Sequence, residues 1–137
     1  MTQEHLRENA AGELRKGLKA LAVAEKLAGE GFPEDAASRA YYAAFHFARV
    51  LAWAAGEKPK THKGVAHLLN LHWIAPGRLP KDTAQLYDSL HDDRQDADYG
   101  ESTAIDESQA RRIVANARVL VERMGNLLRE LGVSPQP

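Results

Sequence analysis

The sequence predicts an all-α fold: an antiparallel up-and-down bundle of four to five helices, in one domain over residues 1–137. Three observations predict it. Apolar residues recur at helical spacing along most of the chain. No alternating apolar run is bounded by turn signals, as a strand would be. The helical segments are joined by short loops containing Gly and Pro, and short loops favour antiparallel neighbours.

Composition limits the classes of protein to consider. The chain has 137 residues, 18 basic and 19 acidic side chains, a net charge of -1 and no cysteine. The absence of cysteine excludes disulfides, thiolate metal sites and a cysteine nucleophile. A charge this close to zero gives no global attraction to nucleic acid or membrane, although a local basic patch stays open. The polar N-terminus and the lack of a run of about 18 apolar residues predict a soluble, cytoplasmic protein.

The first helix is predicted over about residues 2–28, and Gly29 and Gly31 end it. Leu14, Leu18, Leu21 and Ala28 lie on one stripe. Gly12 and Gly17 interrupt the pattern and should loosen the start of the helix.

The second helix is predicted from Pro33, a residue favoured in a first turn, to Gly56. It has two apolar faces, so we expect it to pack on two sides at the centre of the domain. One face has Ala37, Tyr41, Ala44, Ala48, Leu51 and Ala55, and the other has Tyr42, Phe45, Arg49 and Trp53.

Three further helices complete the prediction. Thr61 can cap a short helix through Ile74, and another is expected to start near Pro80. The last helix follows Asp106, which with Gln109 resembles a capping box, and stops at Gly132. Its apolar seam steps by three and four residues through Ala110, Ile113, Ala117, Leu120, Met124, Leu127 and Leu131.

The sequence gives little support to a metal or cofactor site. His62, His67 and His72 are five residues apart, about 140° per step around a helix, so they do not aim at one ion. Asp92, Asp93 and Asp96 share a helix face and could hold magnesium loosely, but a solvated acidic face is the simpler interpretation. Glycine-rich phosphate loops are absent. We therefore expect no metal and no cofactor.

Two polar features stand out against this background. Arg39, Tyr42 and His46 form a polar stripe on the otherwise apolar second helix. The segment SLHDDRQDADYG, residues 89–100, crowds four aspartates around Arg94 near a helix end, where the macrodipole disfavours negative charge. Buried polar groups need partners. We therefore expect aspartates of the fourth helix to pair with the stripe.

Several segments together resemble one known family. SRAYYAAFHFARVLA, KTHKGVAHLL, DRQDADYG and the long final helix resemble the HEPN domain family, in order and spacing over about residues 5–131. The resemblance is narrower to a small stand-alone bacterial and archaeal branch of uncharacterised proteins. It implies a helical bundle, commonly a homodimer, often encoded beside a minimal nucleotidyltransferase.

Many members of this family are ribonucleases, in which an arginine, a polar residue and, a few positions later, a histidine form the motif. Arg94 and Gln95 match its first half, so Arg94 is the candidate catalytic residue. Tyr99 stands where the histidine is expected, and a tyrosine with a pKa near 10 is a poor base at neutral pH. We therefore do not expect a complete nuclease motif, unless His46 or His62 supplies the base through space.

Three functions stay open from the sequence. The first is a HEPN-like partner of a nucleotidyltransferase in a toxin–antitoxin-like pair, which binds nucleotide, phosphate or protein around Arg94. The second is a metal-independent ribonuclease with a substitute base, and the third is a bundle without a ligand. In the first, Tyr99 is a candidate for modification by the partner. The resemblance separately implies a dimer, for whose interface Trp53 and Trp73 are candidates, although core burial explains Trp53 equally well. The predicted binding residues are Arg39, Tyr42, His46, Asp93, Asp98 and Tyr99.

Overall fold

The computed structural model describes residues 3–99 and 105–136. Five α-helices follow one another, with no strand in these residues, which confirms the all-α prediction. They are α1 (Gln3–Gly29), α2 (Pro33–Ala54), α3 (His62–Leu69), α4 (Thr83–Tyr99) and α5 (Glu107–Glu130), and a π-helical turn (Asn70–Ile74) extends α3. Among the described helices, none has the length and apolar character needed to cross a bilayer.

Helix α2 lies at the centre of the bundle and packs against α1, α3, α4 and α5. Its small residues allow these helices to approach closely, and the alanines on its inner faces are almost completely buried. Gly17 of α1 lies directly over Phe47 of α2, where a Cβ atom would stand 2.8 Å from two carbons of the ring. The absence of a side chain at Gly17 therefore sets the spacing between α1 and α2.

The predicted caps of two helices are present. The Thr61 hydroxyl accepts a hydrogen bond from the Gly64 backbone N–H at 3.0 Å and caps α3. Asp106 and Gln109 form a complete capping box at the start of α5. The apolar seam of α5 is buried from Ala110 to Leu127, and Leu131 is partly buried.

Several details of the sequence prediction differ from the structure. Helix α4 begins at Thr83 and not near Pro80, because residues 80–82 form a turn that Arg123 ties to α5 through Asp82 at 2.8 Å. The chain after Leu69 continues as a π-helical turn, in which Trp73 donates to the Leu51 carbonyl at 3.0 Å. Trp73 is thus a core residue, and Leu18, predicted on the buried stripe of α1, is 42% exposed.

Candidate functional site

A cluster of polar and aromatic side chains forms where α2, α3 and α4 meet. We call it the Arg94 cluster. Its described members are Tyr41 and Tyr42 of α2, His62 of α3, and Tyr87, Asp88, His91, Arg94 and Asp98 of α4.

The Arg94 guanidinium is held against two aromatic rings. Its central carbon lies 5.1 Å from the centroid of the Tyr42 ring and 5.7 Å from that of Tyr41. Its Nε lies 3.2 Å from Asp98 Oδ2, one turn further along α4, and the Arg94 side chain is 19% exposed. Stacking on aromatic faces and one ion pair therefore fix the guanidinium in a partly desolvated position.

A chain of three side chains links α2, α3 and α4. The Tyr41 hydroxyl lies 3.0 Å from His62 Nδ1, and His62 Nε2 lies 3.1 Å from Asp88 Oδ1. Because a carboxylate only accepts, Nε2 donates to Asp88, and in the tautomer that carries its proton on Nε2 the His62 Nδ1 accepts the Tyr41 O–H. Asp88 therefore fixes both the tautomer and the orientation of the imidazole.

His62 and His91 lie ring on ring beside Tyr41. Their centroids are 3.8 Å apart with an interplanar angle of 13°, and the Tyr41 ring is 5.3 Å from that of His91. Burial and the neighbouring His62 lower the pKa of His91, as does the charge of Arg94, while Asp92 and Asp88 oppose the shift. His91 is thus held in its neutral form at pH 7, which is the form that accepts a proton.

The two buried tyrosines of the cluster stay protonated. Burial raises the pKa of Tyr41 to about 12, although the Tyr87 hydroxyl and Arg94 act in the opposite direction. Burial also raises the pKa of Tyr87, whose ring is stacked on His62 with a centroid distance of 4.6 Å. At neutral pH the Arg94 cluster therefore combines one permanent cation, two imidazoles, the neutral phenols of Tyr41 and Tyr87, and the carboxylates of Asp88 and Asp98.

The three residues of the predicted polar stripe on α2, Arg39, Tyr42 and His46, line one groove between α1 and α2 together with Lys16 and Lys19. The Tyr42 ring also contacts the Arg94 guanidinium. The expected pairing of the stripe with aspartates of the fourth helix is wrong for His46. Its Nδ1 lies 2.8 Å from Glu13 of α1, which also pairs with Arg49 at 3.1 Å. Burial acts to raise the pKa of Glu13, but His46, Arg49 and Lys16 lower it overall.

The four aspartates around Arg94 do not share one environment. Asp98 pairs with Arg94, but Asp93 and Asp96 line a small polar pocket between α4 and α5, which Arg112 also borders. Burial and the nearby Asp96 and Asp92 raise the pKa of Asp93. Within residues 3–99 and 105–136, no group of three or more metal-ligating side chains could hold an ion.

Tyr99 is the last residue of α4, and its side chain lies outside the described part of the structure. Its predicted role as a binding or modified residue is therefore neither supported nor opposed by the geometry.

Sequence reasoning did not single out His91 and Asp88 as site residues. A signal was present, because His91 lies three residues before Arg94 and Asp88 three before His91, so all three share one face of a helix. Tyr41 was assigned to the core, where it indeed lies at 3% exposure, yet its hydroxyl reaches into the cluster. The approach of His62 from α3 depends on tertiary packing and has no local signal.

Comparisons with known proteins agree with this architecture. The family model of the HEPN domain matches residues 12–127. A protein of Methanocaldococcus jannaschii named as a candidate toxin is 31% identical over 97 residues, which cover 71% of this chain and 72% of that protein. A UPF0332 protein of Archaeoglobus fulgidus is 30% identical over 115 residues, which cover 82% of this chain and 90% of that protein. Another UPF0332 protein, from Thermotoga maritima, is 26% identical over 97 residues, which cover 71% of this chain and 74% of that protein.

Proposed function

The chain belongs to the HEPN domain family, and from that premise we propose that it is the helical half of a toxin–antitoxin-like pair. Its partner in this proposal is a minimal nucleotidyltransferase, and Arg94 is the centre of a site for a phosphate group of a nucleotide. The name of the Methanocaldococcus jannaschii relative supports a link to toxins.

One observation carries the phosphate site: the guanidinium of Arg94 is oriented but incompletely paired. Its Nε faces Asp98 without an aligned hydrogen bond, and its two terminal nitrogens make no hydrogen bond to any described residue. A guanidinium held in this way offers its fork to two oxygens of a phosphate, and little side-chain entropy remains to be lost on binding.

The surrounding charges support this interpretation. Asp93 and Asp96 are directed to the pocket at α5, so they repel a ligand at Arg94 less than their place in the sequence suggests. Only Asp98 forms an ion pair with Arg94 in the described residues. An incoming phosphate would compete with this one carboxylate.

The expected partner follows from the family and not from the contacts described above. In this proposal the nucleotidyltransferase approaches the end of α4, where Tyr99 offers a hydroxyl for modification. A homodimer is a further expectation. Trp53 is the better aromatic candidate for its interface, since it is only partly buried. The central carbon of the Arg49 guanidinium lies 5.2 Å from the centroid of its ring.

Co-purification tests the partnership. The tagged chain would be expressed together with the nucleotidyltransferase encoded nearest to it, and the eluate separated by size exclusion. We expect one stable complex, and we expect ATP to transfer AMP to the wild type, with release of pyrophosphate, but not to Tyr99→Phe. Two proteins that elute separately at micromolar concentration would contradict the partnership.

A second function is favoured by the two imidazoles. His91 is neutral at pH 7, and His62 borders a pocket of about 380 Å³ between α3 and α4. A neutral imidazole is a suitable general base for a ribose 2′-hydroxyl, and Arg94 would stabilise the charge that develops on the phosphate. The arrangement thus offers, from α3 and α4, the base that the sequence motif lacks after Arg94.

Cleavage of RNA in EDTA tests this second function. A ribonuclease of this kind would cut a single-stranded oligoribonucleotide without metal, and Arg94→Ala and His91→Gln would each reduce the rate about 100-fold or more. A wild-type rate equal to that of a buffer blank would exclude the ribonuclease and leave the partner proposal in place.

A further inference from the structure

A cationic surface lies on the other side of Tyr42 from the Arg94 cluster. An open groove of about 530 Å³ runs between α1 and α2, and we call it the α1–α2 groove. Its polar lining consists of Lys16, Lys19, Arg39, Tyr42 and His46, and its remaining lining is apolar.

The α1–α2 groove contains no acidic residue, although the whole chain has 19 acidic side chains against 18 basic ones. Lys19 and Arg39 form no ion pair with any described residue. Lys16 acts only electrostatically on Glu13, whose carboxylate is buried and already paired with His46 and Arg49. The three permanent charges are therefore available to an external anion.

The cations are arranged along the groove and not around a point. Lys16 and Lys19 are one turn apart, about 4.5 Å along α1, and Arg39 and His46 are separated by about 10 Å along α2. All three permanent cations are exposed, and the groove is partly open to solvent. A site that binds a small molecule usually encloses most of the ligand surface, which this groove does not.

Tyr42 connects the groove to the Arg94 cluster. Tyr42 lines the α1–α2 groove, and the centroid of its ring lies 5.1 Å from the central carbon of the Arg94 guanidinium. The Tyr42 ring is partly buried and lies beside a row of cations. An aromatic ring next to such a row is the arrangement by which proteins hold a base of a single strand while the cations follow its backbone.

We propose that the α1–α2 groove binds the phosphodiester backbone of a single-stranded nucleic acid, with Lys16, Lys19 and Arg39 on the phosphates and Tyr42 against a base. Past Tyr42, the same strand continues to Arg94. That continuation rests on the proposed function, whereas binding in the groove does not.

Fluorescence anisotropy of a labelled 12-residue oligouridylate tests the groove. The affected variant is the triple substitution Lys16→Ala, Lys19→Ala, Arg39→Ala. Its matched control removes the same charge elsewhere, at Lys58, Lys81 and Arg111. We expect the groove variant to bind at least tenfold more weakly than the control, and its log Kd to depend less steeply on log salt, by about 2 for three lost phosphate contacts.

Two further arms separate the possible results. In the Arg94→Ala background, the groove variant should still bind the oligonucleotide at least tenfold more weakly than the charge-matched control, so that loss of the Arg94 site and loss of the groove are distinguished. ATP and inorganic triphosphate, added as competitors in that background at equal phosphate concentration, should displace the oligonucleotide poorly. Equal affinities of groove variant and control, or displacement by triphosphate as effective as by unlabelled oligouridylate, would overturn the proposal.

Discussion

Arg94 and His91 lie one helical turn apart on α4, and their neighbours give them different properties. Tyr42 and Tyr41 hold the guanidinium, while His62 and burial keep His91 neutral. The sequence identified Arg94 as the candidate because of its place in a motif, but it did not predict that the rings of Tyr41 and Tyr42 would be its support. Those contacts join α2 to α4, and no periodicity within one helix encodes them.

The Tyr41 hydroxyl is predicted to stabilise the contact between α2 and α3. Tyr41→Phe removes its hydrogen bond to His62 and leaves Nδ1 in a partly buried position without that partner. We expect the free energy of unfolding to fall by about 1–2 kcal/mol, measured by urea denaturation.

Tyr42→Phe is the matched control, because the Tyr42 hydroxyl forms no hydrogen bond with a described residue. The free energy of unfolding of Tyr42→Phe should stay within about 0.5 kcal/mol of the wild-type value. Equal losses for the two variants would contradict the role of the bond between Tyr41 and His62.

His91 is predicted to make stability depend on pH. Its folded-state pKa lies below the value of about 6.5 in an unfolded chain, so the unfolded state binds more protons in the window between them. The stabilising contribution is fully present above about pH 6.5 and is lost as pH falls through the folded-state pKa.

Urea denaturation from pH 7.5 to pH 5 would measure this dependence for wild type and His91→Gln. The stability of the wild type relative to the variant should decrease on acidification. Curves that stay parallel over this range would show that His91 does not have a lowered pKa in the folded state.

The helices themselves were largely predictable, because their apolar spacing and caps are local properties of the sequence. Thr61 and Asp106 were identified as caps from residue type and spacing alone. The π-helical turn at Asn70–Ile74 had no such signal. It accompanies a contact across helices, from Trp73 to the Leu51 carbonyl, and the start of α4 likewise depends on Arg123 of α5.

Two glycines of α1 are predicted to respond to alanine with opposite signs. At Gly17 the added Cβ would meet the Phe47 ring at 2.8 Å and the Ala43 carbonyl oxygen at 3.2 Å, so Gly17→Ala should destabilise by about 1–3 kcal/mol. At Gly12 the nearest atom is the flexible end of Arg15 at 3.9 Å. Gly12→Ala should therefore stabilise by about 0.5–1 kcal/mol.

Thermal or urea unfolding of the two variants would measure these effects. If Gly17→Ala unfolded with the same free energy as the wild type, that result would contradict the close approach of α1 and α2. The sequence suggested that both glycines loosen the helix, but only the packing of Phe47 distinguishes them.

At the scale of the whole molecule, the bundle brings two polar sites to either side of Tyr42. One is the Arg94 cluster between α2, α3 and α4, and the other is the α1–α2 groove. The fold class could be predicted from the helical periodicity of apolar residues, and the family from the order and spacing of several sequence segments. The position of Tyr42 in both of these places could not be predicted in the same way, because it depends on how α1 covers one side of α2 and α4 the other.

The central claim is that Arg94 binds a phosphate group, and calorimetric titration of ATP in EDTA tests it most directly. Wild type should bind, Arg94→Ala should bind about 10- to 100-fold more weakly, and Arg94→Lys should recover only part of the loss because it lacks the guanidinium fork. The control Arg118→Ala, which removes an exposed arginine paired with Glu25, should match wild type. Equal affinity of the wild type and Arg94→Ala would contradict the claim.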